Sequence, residues 1–346
     1  MTTSPTRVLV AMSGGVDSSV AAALLRDAGY DVTGVTLKLW GGESDSGCCS
    51  AADVEDARRV AAQLAIPHYV FNFTDDFDAR VVDPYVDAYA AGRTPNPCVE
   101  CNRSIKFGRL LERADALGFD AVATGHHARV CREADGRRQL RRGADVLKDQ
   151  SYVLYMLGQA ELARTLLPVG ELTKAQVREH ATRLGLRTAT KPESMDVCFI
   201  THGNRNEFVT ARAGAQPGPV VDGDGAVLGA HDGVTGFTIG QRRGVGVATG
   251  ERRYVVDLDA STATVTLGRR DELLRNAAEV RDLRFVDRVP DPDEPLDVQM
   301  RAHGTPVSGR LDRAWVRFEE PQPRVAPGQV VALYAGDTLL GGGIAA

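Results

Sequence analysis

Residues Ser13-Gly14-Gly15-Val16-Asp17-Ser18-Ser19 lie between an apolar run, Val8-Leu9-Val10-Ala11-Met12, and an alanine-rich stretch that opens near Ser18. The order is strand, glycine turn, helix. Two glycines let a backbone approach a phosphate closely, and the free N–H groups and positive dipole end of the following helix favour an anion. Ser13, Ser18 and Ser19 add hydroxyl donors, and Asp17 is a candidate ligand for the Mg²⁺ that accompanies a nucleotide. The stretch therefore predicts a pyrophosphate-binding turn at the first strand of an α/β domain.

No Gly-Lys-Ser or Gly-Lys-Thr follows the glycines, so this is not the lysine-bearing P-loop. It resembles the SGGxDS loop of the PP-loop ATP pyrophosphatases, which split ATP into AMP and pyrophosphate while adenylating a substrate oxygen.

Outward from the turn, strands and helices alternate. The pattern predicts strands at Arg7–Met12, Val32–Leu39, His68–Phe73 and Ala121–Thr124, with helices at Ser18–Ala28, Ala51–Leu64, Val81–Ala91 and about Asn102–Leu117. Such alternation implies a parallel sheet with its ligand at the carboxyl ends of the strands. From about Thr201 the character changes to Gly-rich alternating segments, and from about Ala277 to short strands that suggest a small β-barrel. The expected organisation is a parallel-sheet PP-loop domain over 1–200, a small mixed central domain over 201–276 and a C-terminal barrel over 277–346. Asp222-Gly223-Asp224-Gly225 lacks the remaining ligands of a calcium loop and reads as a hairpin turn.

A chain of 346 residues with a net charge of −5 does not announce a nucleic-acid binder by bulk charge. Arginines crowd two segments, 129–142 and 242–253, as candidate local patches. There is no apolar run long enough for a membrane span and no signal-peptide core, so a cytoplasmic location without membrane attachment is expected. In that setting six cysteines point to chemistry or metal binding rather than a disulfide framework. Pro95-Asn96-Pro97-Cys98-Val99-Glu100-Cys101-Asn102 puts Cys101 at or just before an expected helix N-terminus, where a thiolate is stabilised. Its CxxC reads as a nucleophile with a neighbour or as iron–sulfur ligands, since no second CxxC or HxxxH completes a zinc site. Cys198 gains weight from this company; Cys48 and Cys49, in a Gly/Ser/Cys loop, read equally as incidental or functional, and Cys131 has no supporting context.

The remaining motifs sharpen the resemblance. Residues 11–18, Gly92-Arg93-Thr94-Pro95-Asn96-Pro97, Cys101-Asn102, Ile105-Lys106-Phe107, Ala123-Thr124-Gly125-His126, Lys148-Asp149-Gln150-Ser151-Tyr152, Cys198-Phe199-Ile200 and Gly240-Gln241-Arg242-Arg243-Gly244 together make the chain similar to the bacterial tRNA-specific 2-thiouridylases, nearly end to end. These enzymes thiolate the wobble uridine of tRNA. The resemblance implies ATP contacts from Ala11, Met12, Ser13, Gly14, Gly15, Val16, Asp17, Ser18, Leu37 and Gly125. It implies tRNA contacts from Asn96, Pro97, Cys98, His126, Lys148, Asp149, Gln150, Arg301 and Gln329. Cys101 would be the nucleophile and Cys198 the persulfide carrier, the pair ending as a disulfide. Expected partners are tRNAs for Lys, Glu and Gln and a persulfide sulfur-carrier protein.

Many members carry Asp where Cys98 stands, and an aromatic residue often follows the position of Arg301, where this chain has Ala302. The first departure leaves an alternative in which Cys98, Cys101 and Cys198 hold a [4Fe-4S] cluster. Other readings are a different PP-loop ligase or amidotransferase, which would need neither cysteine, and a non-catalytic RNA-binding or metal-cluster module. Removing the chain from about 277 onward is expected to weaken tRNA binding and leave ATP binding largely intact.

Overall fold

In the computed structural model of the protein, residues 5–40, 50–192, 197–200, 204–248 and 250–346 are described. Cys48 and Cys49 lie outside them.

A five-stranded parallel sheet carries the first part of the chain. Its strands are β1 (Arg7–Ala11), β2 (Asp31–Lys38), β3 (His68–Asn72) and β4 (Ala121–Ala123), with the short Thr165–Leu166 at one edge. The spatial order is β3-β2-β1-β4-(165–166). Val8, Leu9 and Val10 are all fully buried, as expected of a central strand covered on both faces. Successive side chains point to opposite faces. Val8 and Val10 join a cluster with Val16, Val20, Val60 and Val177, while Leu9 joins another with Val35, Phe77, Ile105 and Tyr152.

Helix α1 (Val16–Asp27) follows the glycine turn, and α2 (Ala51–Gln63) begins on a capping box between Ser50 and Asp53. Two other helices run longer than their apolar periodicity predicts, because each contains a wide π-helical stretch that shifts the repeat. One extends from Thr74 to Ala90 with its π turn at Asp78–Val82. The other extends from Pro97 to Ala116 with its π segment at Cys101–Arg109.

The central unit opens with the helix Arg205–Ala213, capped by Asn204, and continues into a four-stranded sheet. Two hairpins, Gly218–Asp222 with Val227–His231 and Tyr254–Asp259 with Thr264–Gly268, join through a parallel pairing of Val265 with Val220. The Asp222–Gly225 run is a hairpin turn, with Asp222 Oδ1 accepting the Asp224 and Ala226 N–H groups.

Six C-terminal strands close into a barrel, because Leu274–Phe285 pairs both with Trp315–Pro323 and with Thr338–Ala345. A hairpin from the first unit, Ala128–Arg132 with Arg138–Arg142, extends the barrel sheet by pairing Arg141 with Thr338 and Leu140 with Leu339. This is the arginine-crowded segment. Arg129 pairs with Asp337 (2.7 Å), Arg137 with Asp135 and Asp287 (2.7 and 2.9 Å), Arg141 with Glu133 (3.3 Å) and Arg142 with Asp149 (2.9 Å). Arg129 and Arg137 thus bind the first unit to the barrel, while Arg141 and Arg142 brace the first unit itself, so these arginines of the expected patch are ion-paired.

Candidate active site

In the parallel sheet the connections run outward in opposite directions from β1 and β4, which makes the crevice between them the switch point where ligands bind. Ser13-Gly14-Gly15 leaves β1 at that point and Thr124-Gly125-His126-His127 leaves β4. Gly14 has φ +73°, and a Cβ on it would lie 2.3 Å from the Asp53 carbonyl oxygen in the first turn of α2. Gly15 is the N-cap of α1 and has no side chain to cap the first N–H groups, so they face outward for an anion. Ser13 N–H donates to Ser18 Oγ (3.2 Å), and Ser18 and Ser19 hydroxyls donate to the Gly15 carbonyl (3.2 and 2.8 Å), which holds the turn in shape. Gly125 passes so close that a Cβ there would stand 2.6 Å from Ser18 N. Only the backbones of Met12, Val16 and Leu37 are suited to meet a nucleotide, since all three side chains are buried.

Two lysines that the motif does not announce grip this turn from either side. Lys174, at the start of the helix Lys174–Arg183, places Nζ 2.8 and 2.6 Å from the two carboxylate oxygens of Asp17. Lys191 Nζ donates to the Gly14 carbonyl (3.0 Å), Asp53 (2.6 Å) and Asp56 (2.7 Å). Neither carries a local sequence signal, because each reaches the turn from more than 150 residues away. Asp17 also accepts from or faces His127 Nε2 at 3.2 Å. Burial pushes the Asp17 carboxyl up, but the His127 and Lys174 hydrogen bonds and the Lys174 charge outweigh it and hold it below the usual carboxylate range. The expected direct Mg²⁺ ligand is thus already engaged as the counter-charge of Lys174.

His126 is buried, and its Nδ1 lies 2.6 Å from Thr124 Oγ1. Desolvation, with Lys106 and His127 nearby, holds its pKa well below the ordinary histidine value, so the ring is neutral. In this position the ring braces the β4 exit through Thr124.

Asn96 is the N-cap of the long helix; its Oδ1 accepts the Cys98 N–H at 3.0 Å, with Pro97 in the first position. The helix therefore starts four residues before Cys101, and it is Cys98, exposed on the first turn, that occupies the N-terminal position expected for Cys101. Cys101 is 7% exposed at the start of the π segment and belongs to the apolar cluster against which the partly buried Cys198 packs. Phe199 anchors Cys198: its ring meets Trp40, Phe77, Tyr85 and Phe208 at centroid distances of 6.1, 5.8, 5.2 and 5.3 Å. Among the described residues no three His, Cys, Asp or Glu side chains are placed to hold a metal ion. Cys98 faces solvent while Cys101 faces the core, so the three cysteines do not fit a [4Fe-4S] cluster in this arrangement.

Several of the other residues expected at tRNA are held by hydrogen bonds between distant parts of the chain. Asp149 is buried and accepts from Gly143 N (3.0 Å), Ser151 N (3.0 Å) and Arg142 Nη1 (2.9 Å), which makes it a loop brace instead of a surface contact. Arg142 also donates to Gln299 Oε1 (2.6 Å), whose amide donates to the Arg301 and Ala302 carbonyls (3.0 and 2.9 Å). One partly exposed arginine thus sets the Lys148–Gln150 loop beside the Arg301 loop. Gln329 Nε2 donates to the Thr94 carbonyl (2.7 Å), next to Asn96 and Pro97.

Sequence profiles of three domains match in series: the tRNA methyl transferase HUP domain over residues 6–202, the tRNA methyl transferase PRC-barrel domain over 206–269 and the aminomethyltransferase β-barrel domain over 275–345. The chain is 50% identical to the tRNA-specific 2-thiouridylase MnmA of Chloroflexus aggregans over 97% of both chains. It is 47% identical to that of Roseiflexus castenholzii over 97% of this chain and 98% of the other. Among solved structures, the U34-tRNA thiolase NcsA from Methanococcus maripaludis with its [4Fe-4S] cluster aligns with a TM-score of 0.39 at 17% identity, covering 60% of this chain and 66% of that one.

Proposed function

The chain belongs to the tRNA-specific 2-thiouridylase family, and we propose from that premise how its residues divide the work. The reaction is ATP-dependent thiolation of a tRNA uridine. ATP, with the Mg²⁺ that neutralises its phosphates, is taken at the Ser13–Gly15 turn. The N–H groups at the head of α1 receive the leaving pyrophosphate, and Lys174 and Lys191 supply positive charge on either flank.

A uracil carbonyl oxygen is a poor leaving group. The uridine O2 attacks the α-phosphate, an O–P bond forms and pyrophosphate departs, which leaves C2 electrophilic with AMP as its leaving group. The terminal sulfur of a Cys198 persulfide then attacks C2 and AMP departs. The Cys101 thiolate attacks Sγ of Cys198, the bond between Sγ and the transferred sulfur breaks toward that sulfur, and a Cys101–Cys198 disulfide remains. An external dithiol must reduce it before a new persulfide is loaded by a sulfur-carrier protein. The wobble uridine of Lys, Glu and Gln tRNAs is the proposed target. Domain divisions near residues 200 and 276 separate the adenylating unit from the units that hold the body of the tRNA.

The observation that carries this reading is the joint placement of the uncapped head of α1 at the sheet switch point and of Cys101 and Cys198 at one apolar cluster. A ligase or amidotransferase would use the first feature without the second. The test is pyrophosphate release with unmodified tRNA as the trigger. Release that depends on tRNA and persists in Cys101→Ser supports the division of labour; release triggered instead by ammonia or a small acid supports the ligase.

A further inference from the structure

Val146 and Leu147 are the most exposed large apolar side chains among the described residues, at 77% and 79%. Single exposed apolar residues are commonplace, but this pair sits at the tip of a turn that is held unusually well. Asp145 Oδ1 accepts the Leu147 N–H (3.0 Å) and its carbonyl accepts the Lys148 N–H (3.0 Å), which closes the turn. Two tethers then lead from the turn to the same carboxylate. On one side Asp145 Oδ2 accepts the backbone N–H of Lys174 (2.9 Å), whose Nζ lies on Asp17. On the other, Gln150 exchanges backbone and side-chain hydrogen bonds with the main chain of His127 (both 2.9 Å), whose Nε2 faces Asp17. The tip is thereby fixed at the rim of the nucleotide turn, where the target base must arrive.

Given the thiolation reading above, on which this inference rests, the uridine has to leave the anticodon stack to reach the α-phosphate, and the gap it leaves exposes the faces of its neighbours. Apolar side chains inserted at base steps stabilise such unstacked states. We propose that Val146 and Leu147 form a wedge that enters the anticodon-loop stack beside the target uridine and holds it open while the base is turned into the site. A protein partner is the weaker occupant, since a specific protein interface covers about 800 Å² per side, far more than two side chains offer.

The test uses the full chain and a tRNA carrying 2-aminopurine on the 3′ side of the target uridine, with a small-molecule persulfide, glutathione persulfide, as the source of sulfane sulfur for Cys198. Wild type is expected to raise the 2-aminopurine fluorescence on binding and to form 2-thiouridine. Combined Val146→Ser and Leu147→Ser should abolish the rise and slow thiolation by about tenfold or more, with ATP binding unchanged. Combined Val146→Leu and Leu147→Met should restore both. Failure of wild type to form 2-thiouridine would overturn the thiolation reading itself. With wild type active, a serine variant that thiolates at the wild-type rate, or keeps the full fluorescence rise, overturns the wedge; a defect seen only with a carrier protein as sulfur source assigns the tip to that protein instead.

Discussion

The charges around the nucleotide turn are held by partners rather than displayed to solvent. Asp17 is largely buried, and its ionised form depends on Lys174 and His127. Because its folded pKa is depressed, the stability it contributes is present above the ordinary carboxylate range and is lost as pH falls through the depressed value. Lys174→Met removes the cation and leaves burial to raise that carboxyl. The variant should lose about 1–3 kcal/mol at neutral pH, begin its acid unfolding at higher pH than wild type, and release pyrophosphate slowly. Urea midpoints across pH, with a pyrophosphate assay, check all three. His126, a base kept neutral by burial, shows the same sign of pH dependence. The native ring stays neutral while the unfolded ring protonates near its ordinary value, so wild type should lose stability below that value by about 1.4 kcal/mol per pH unit. His126→Gln should show a slope shallower by that amount; equal slopes would mean that the native ring protonates freely.

Among the elements, the helix Pro97–Ala116 shows how much geometry a wide turn can impose. The π segment at Cys101–Arg109 is tight at Gly108, where a Cβ would lie 2.9 Å from the Arg103 carbonyl oxygen. Gly108→Ala is therefore expected to shift the segment and with it Cys101, slowing thiolation while ATP binding persists. Equilibrium ATP binding and 2-thiouridine yield on the same preparation separate the two effects. The head of α1 offers a matching contrast. Gly14→Ala forces a Cβ against Asp53 at a left-handed backbone position and should fold poorly, whereas Gly15 has room for a Cβ, its nearest neighbour being Ser13 Oγ at 3.4 Å. Gly15→Val should fold and still fail to release pyrophosphate.

These elements also mark what could be read in the chain and what could not. The turn at Ser13–Ser19, the four longer strands of the parallel sheet and the Ser50 cap are local patterns, and apolar period, glycine and capping residue state them directly. Cys101 lies inside its helix and not at its head, because a π stretch breaks the 3.6-residue repeat on which a boundary there rests and the cap, Asn96, is embedded in a proline-rich run. Lys174, Lys191 and Arg142 act over long sequence separations and leave no local trace. The hairpin 128–142 was hidden by its composition: alternating arginines look like solvated surface until their carboxylate partners are seen.

The whole molecule is tied together more closely than three domains in series would suggest. Thr94, in the loop that leads to the cysteine helix, donates its N–H to Pro327 (2.6 Å), accepts from Gln329 (2.7 Å) and reaches Thr238 in the central unit at 3.4 Å. Val330, Ala332, Tyr334 and Leu339 of the barrel belong to the same apolar cluster as Leu9, Val35 and Cys101. This shared core argues against the expectation that the chain can be cut near residue 277 without loss of ATP binding. Truncation there removes one wall of the nucleotide unit's core and should give a poorly folded protein that binds neither ATP nor tRNA, which calorimetry and thermal unfolding would record.

The central claim is that one chain adenylates a tRNA uridine at the Ser13–Gly15 turn and replaces its oxygen with sulfur carried on Cys198. The most direct test is a single turnover: the chain is loaded with sulfane sulfur, freed of donor, and mixed with unmodified tRNA and ATP, after which nucleosides and cysteine-containing peptides are analysed by mass spectrometry. The account predicts 2-thiouridine in no more than stoichiometric yield, dependent on ATP, matched by a Cys101–Cys198 disulfide and lost in Cys101→Ser and Cys198→Ser. Formation of 2-thiouridine by loaded Cys198→Ser, or by wild type with both cysteines left as thiols, would contradict it.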